Sequence, residues 1–111
     1  MMQANIAVPA IPPVTARPLA VAPLFPLGKV FMTPGALTSL ARNKMSEVLL
    51  LARHVHGDWS EMHEDDQETN LQAIEEGGRV LSAFAMRDQT KIWVITEADR
   101  SVTTLLLPEE Y

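Results

Sequence analysis

The sequence predicts an α+β fold: two to three N-terminal helices packed on a C-terminal antiparallel meander of three strands, or of four if an early strand joins it. Three observations carry this. Residues 79–107 hold three apolar, β-branched runs separated by short polar connections. Residues 34–76 show helical start and stop signals in series. The helical part precedes the strand-rich part, the order expected when helices cover one face of a sheet.

The chain of 111 residues suits one small domain. Six of its eight prolines (Pro9, Pro12, Pro13, Pro18, Pro23 and Pro26) fall in residues 1–26, and no acidic residue precedes Glu47. Proline lacks the amide donor and fixes φ, so residues 1–26 are expected to be an extended or disordered tail, or an over-long start, ahead of a single domain at 27–111. The tail has no basic leader region and its apolar run is broken by proline, so it does not read as a signal peptide. No window is apolar for the length of a membrane span.

Leu27 to Met32 reads as a short strand. Thr33-Pro34 then opens a helix over about 34–42, with Ala36, Leu37, Leu40 and Ala41 as its apolar face. Ser46 and Glu47 open a second helix. Its Val48-Leu-Leu-Leu-Ala52 run is apolar nearly all round and predicts the central buried helix. Arg53, His54 and His56 fall in its last turn, where cations complement the helix dipole and solvated histidines are expected, and Gly57 stops it. Asp58 or Ser60 is placed to cap a third helix running to about Glu76, half exposed, with an acidic outer face, ended by Gly77-Gly78.

The strands follow at Arg79–Met86, Lys91–Thr96 and Val102–Leu107. The middle run is apolar on both alternating faces, which predicts a central strand covered on both sides. Arg87 to Thr90 and Glu97 to Ser101 are the connections, and Pro108 stops the last strand. Trp59 and Trp93 read as core residues, because neither is interleaved with basic side chains as a base-stacking platform would be.

Composition narrows function more than any motif does. Without cysteine the chain has no disulfide, no thiolate metal site and no Cys nucleophile. No Gly-rich phosphate loop or Gly-x-Ser-x-Gly elbow occurs, and no cofactor is expected. The formal charge is −5, and no Lys or Arg lies between His54 and Gly78. An acidic domain is a poor general binder of nucleic acid and suits a basic protein surface better.

Three constellations remain as candidates. His54, His56 and Asp58 suggest a metal site, but on a helix residues two apart face different ways. Glu97, Asp99, Arg100 and Ser101 put two carboxylates, a guanidinium and a hydroxyl on one loop, where Arg100 could hold an anion; the bland reading is a turn that satisfies its own backbone. The third is the acidic face of the third helix, with Glu61, Asp65 and Glu68 as its contact residues, able to meet a basic partner or to imitate a row of phosphates.

Several stretches resemble a small bacterial family labelled plasmid-related or hypothetical proteins, found on plasmids and genomic islands. They are Arg53-His54, Gly57-Asp58-Trp59, Glu64-Asp65, Asn70, Gly78-Arg79, Ser82 and Lys91 through Tyr111, with Leu27-Gly28 and Thr33-Pro34-Gly35-Ala36-Leu37. The likeness covers about residues 27–111. It implies a cytoplasmic protein of mobile genetic elements and carries no established activity. The expectation is a non-enzymatic accessory protein acting on another protein, such as a DNA-processing or defence enzyme, without a membrane role or direct nucleic-acid binding. The alternative, by a fold-level likeness to RelE-type ribonuclease toxins, is a small nuclease using Arg79, Glu97 and Arg100.

Overall fold

The computed structural model describes residues 22–111. The expectation of a tail at 1–26 therefore lies outside the described residues over 1–21. Beyond them, Phe25 is buried and the Leu24 amide donates to the Val55 carbonyl at 2.8 Å, so the folded unit begins before residue 27.

The class is α+β. Strand β1 (Lys29–Met32) leads into helices α1 (Pro34–Arg42), α2 (Glu47–Val55) and α3 (Glu64–Glu76). Strands β2 (Val80–Ala85), β3 (Lys91–Thr96) and β4 (Val102–Leu106) follow, with a closing 3-10 turn at Pro108–Glu110. The sheet order is β1-β4-β3-β2. The meander β2-β3-β4 is antiparallel as expected, but β1 joins β4 in parallel, so the sheet is mixed. A parallel pair needs a long crossover. The helices lie between β1 and the meander in sequence and supply it.

Helix α1 starts where Thr33-Pro34 predicts, with the Thr33 hydroxyl accepting from the Ala36 amide at 3.2 Å. Glu110 doubles this cap: one oxygen meets the Thr33 hydroxyl at 2.5 Å and the other accepts from the Gly35 amide at 3.0 Å. The C-terminal Pro-Glu-Glu thus closes the first helix. Ser46 caps α2 through the Val48 amide.

Helix α2 is a correction. It is buried on one face only, through Leu50, His54 and Val55, while Val48 is 66% and Leu49 50% exposed. Helix α3 is another. It begins at Glu64 because the His63 ring, not Asp58 or Ser60, caps it, accepting from the Asp65 amide at 3.2 Å. Residues 58–62 form a turn that keeps Trp59 buried at 2% exposure. At its other end α3 stops at Gly77, whose φ of 82° is the left-handed cap conformation.

The core lies between the sheet and α1 and α2. Val80, Phe84, Ile92, Val94 and Leu105 are fully or almost fully buried on this face, with Ala36, Leu40 and Leu50 opposite. β3 is central, and the expected cover on both sides is complete on one face and partial on the other. On the other face Ile95 is buried while Trp93 is only half-buried, packed edge-on against Tyr111 at 5.7 Å. Helix α3 stands beside the free edge of β2: Asn70 donates to the Leu81 carbonyl at 2.7 Å and accepts from the Leu81 amide at 3.0 Å. Glu61 accepts from the Ala85 amide two residues along that edge, at 2.8 Å.

Candidate binding groove

The first polar constellation is buried. Trp59 Nε1–H donates to Ser82 Oγ at 2.9 Å, and Thr103 Oγ1–H donates to the Leu27 carbonyl at 2.7 Å. Those two bonds fix every proton between them. Thr103 has given its proton, so Thr96 Oγ1 donates to it at 2.6 Å. Thr96 must then accept from His54 Nε2–H at 2.9 Å, which leaves His54 Nδ1 to accept from Ser82 Oγ–H at 2.6 Å. His54 is a neutral Nε2–H tautomer, and burial pushes its pKa down to about 3. The Ser82–His54 pair has the distance of a nucleophile and its base, but both side chains are fully buried and no substrate reaches them.

This corrects the reading of His54 as a solvated residue. It also dissolves the His54, His56, Asp58 trio: both His54 nitrogens face hydroxyls, and Asp58 is paired with Arg53 at 2.6 Å. Burial alone would raise the Asp58 carboxyl, but hydrogen bonds from Arg53 and Ser60 hold it below its ordinary value. Among the described residues no group of three His, Asp or Glu side chains is arranged to hold a metal ion.

The 97–101 loop is organised by its own side chains. The Asp99 carboxylate accepts from the Ser101 amide at 3.0 Å and from its hydroxyl at 2.6 Å, and the hydroxyl bond in particular lowers the Asp99 pKa. The Arg100 guanidinium turns inward, donating to the Gly78 carbonyl at 2.5 Å, the Ala73 carbonyl at 3.2 Å and the Glu97 carbonyl at 3.2 Å. It closes the C-terminal end of α3, where free carbonyls and the dipole favour a cation. Arg79 turns elsewhere, to the Tyr111 hydroxyl and over its ring. The Arg79 and Arg100 guanidinium groups are therefore engaged by different partners, Tyr111 for one and the end of α3 for the other. Arg100→Ala should cost about 1.5–3 kcal/mol, the range for bonds from a charged donor, read as a lower urea midpoint with unchanged slope.

Of the acidic trio, Glu61 lies outside α3, in the preceding turn. It accepts from Arg53 at 2.9 Å as well as from Ala85. Asp65 and Glu68 are exposed on the helix. Two carboxylates border a concavity: Glu61, and Asp66, which was not among the predicted contact residues.

That concavity is a groove of about 460 Å³ between α3 and the uncovered face of the sheet. One wall is Met62, His63, Asp66, Thr69 and Asn70; the floor and far wall are Leu81, Ala83, Trp93 and Lys91, with Glu61 at one end. The sequence carried a usable signal for the floor. Leu81 and Ala83 alternate with the buried Val80, Ser82 and Phe84, which puts them on the opposite face.

Searches against protein-family models, curated proteins and solved structures find no match to this chain. Among the described residues no helix is long and apolar enough to cross a membrane.

Proposed function

We propose that this protein is a non-enzymatic binding module that engages another protein through the groove between α3 and the sheet. One observation carries the reading: an acidic helix flank stands against an apolar sheet floor. Asp66, with Asp65 beside it at the start of α3, faces a strip formed by Leu81, Ala83 and Trp93. A short segment bearing an apolar anchor next to Lys or Arg matches the acidic flank of α3 and the apolar floor. The polar constellations that could suggest catalysis are instead occupied by the fold, as the bonds of His54, Asp99 and Arg100 show. In this reading the partner is a DNA-processing or defence enzyme met in the bacterial cytoplasm, as the likeness to proteins of mobile elements implies.

The test is affinity capture from a bacterial lysate with three forms of the protein. The wild type should retain one partner in stoichiometric amount. The double variant Asp65→Lys, Asp66→Lys should lose it, and Trp93→Ala should weaken its retention. Full retention by the charge-reversed form would overturn the proposal, and so would capture of RNA or ribosomes in place of a protein.

A further inference from the structure

The two edges of the sheet are treated differently. On β2 side chains hold part of the outward-facing main chain: both Leu81 groups by Asn70 and the Ala85 amide by Glu61. On β1 the amides that face β4 belong to alternate residues, since Lys29 donates to the Ser101 carbonyl at 2.9 Å and Thr33 to the Leu105 carbonyl at 3.0 Å. By alternation Val30 and Met32 turn their N–H and C=O groups away from the sheet. Among the described residues no helix or side chain covers them. The same edge is apolar on both faces, with Val30 40% exposed on the helical side and Phe31 53% exposed on the open side. An open apolar edge of this kind is a template for another extended backbone.

We infer that β1 pairs antiparallel with β1 of a second copy, around a two-fold axis at Phe31. In that register Val30 faces Met32 of the second copy and Met32 faces Val30 of the second copy, so all the outward main-chain groups of β1 gain partners. The two Phe31 rings meet at a position without main-chain bonds, where side chains come closest. Lys29 falls opposite Thr33 of the second copy, so no like charges face each other. The two-fold pairing uses the β1 edge of both copies, so it closes at two, and Asn70 and Glu61 occupy part of the β2 edge against further addition. Four residues make a short seam, so the dimer is weak and depends on concentration. It also holds two copies of the α3 groove at opposite ends of one continuous sheet, which would let a divalent partner bind with avidity.

Sedimentation equilibrium of the full chain across a concentration series tests this. The wild type should pass from monomer to dimer and stop there. Phe31→Lys puts two ammonium groups at the two-fold axis and should raise the dissociation constant about tenfold or more, with an unchanged circular dichroism spectrum. Val30→Pro removes an outward N–H while sparing the bonds to β4, and should act the same way. A wild type that stays monomeric at every concentration would overturn the inference. So would a dimer that tolerates both substitutions, or one that grows past two copies. Loss of dimerisation with partner capture intact would show that the two surfaces act separately.

Discussion

Replacing His54 by Ala should cost about 3–5 kcal/mol, enough to leave much of a domain this small unfolded at 37 °C. Two effects add. The side chain is fully buried, so its removal leaves a cavity beside Trp59, Phe25 and the sheet. The substitution also strips Ser82 of its acceptor and Thr96 of its donor, inside a network with no alternative partners. Urea unfolding followed by tryptophan fluorescence measures this, because the Trp59 indole is part of the network. A loss below about 1 kcal/mol would mean that the network contributes little.

The same residue sets an acid limit on stability. Folding depresses its pKa from 6.5 to about 3 because burial penalises the imidazolium. In addition, a second ring proton would have to point at the Ser82 hydroxyl, which already donates there. The unfolded chain therefore takes up the proton first. Stability should be flat above about pH 6.5 and fall as pH falls toward 3, by up to about 1.4 kcal/mol per unit. His54→Leu removes the titrating group and should flatten the profile between pH 6.5 and 5, above the range in which carboxylates titrate.

Gly28→Ala should be nearly as damaging, for a backbone reason. Gly28 has φ of +65°, and a Cβ there would overlap the main-chain carbonyl of Ser101 and crowd that of Arg100. An L-residue in this conformation costs about 1–2 kcal/mol before any contact is counted. The clash cannot be relieved by rotating a side chain, since the opposing atoms are backbone. Either β1 leaves β4, losing the Lys29–Ser101 bond, or the 99–101 turn deforms and withdraws Arg100 from α3. We expect a loss of about 3 kcal/mol or more and a midpoint lowered by roughly 12–24 °C. Thermal unfolding by circular dichroism checks it; a shift of only a few degrees would show that the β1–β4 approach is loose.

Both residues show what a sequence discloses and what it hides. The start of α1 at Thr33-Pro34, the span of β3 and the self-satisfied Asp99–Ser101 turn are set by neighbours in the chain, and local rules reach them. His54 is different. Its position at the end of α2 suits a solvated cation, and only Ser82 and Thr96, 28 and 42 residues away, make its burial possible. A partial signal was present: Ser82, Thr96 and Thr103 are polar residues at inward positions of apolar strands, which asks for a buried partner. The parallel pairing of β1 was hidden for the same reason, since nothing in residues 29–32 names β4 as their neighbour. The groove was half visible. The acidic run was plain: Glu61 does border the groove, though tied to Arg53 and Ala85, but Asp65 and Glu68 do not line it and Asp66 does.

Most of the polar and aromatic side chains singled out in the sequence are used by the fold. Arg53 pairs with Asp58, Trp59 and Ser82 join the His54 network, Asn70 holds the β2 edge, Arg100 closes α3 and Glu110 caps α1. These residues build the fold. The acidic start of α3, Trp93 and the β1 edge are left to face outward, and it is there that binding is proposed.

The most direct test of that division is hydrogen exchange on the protein with and without its captured partner. The account predicts added protection over residues 63–70, 81–85 and 91–93, the walls and floor of the groove, with the 97–101 loop unchanged. Protection confined to residues 97–101, or none in the groove, would contradict it.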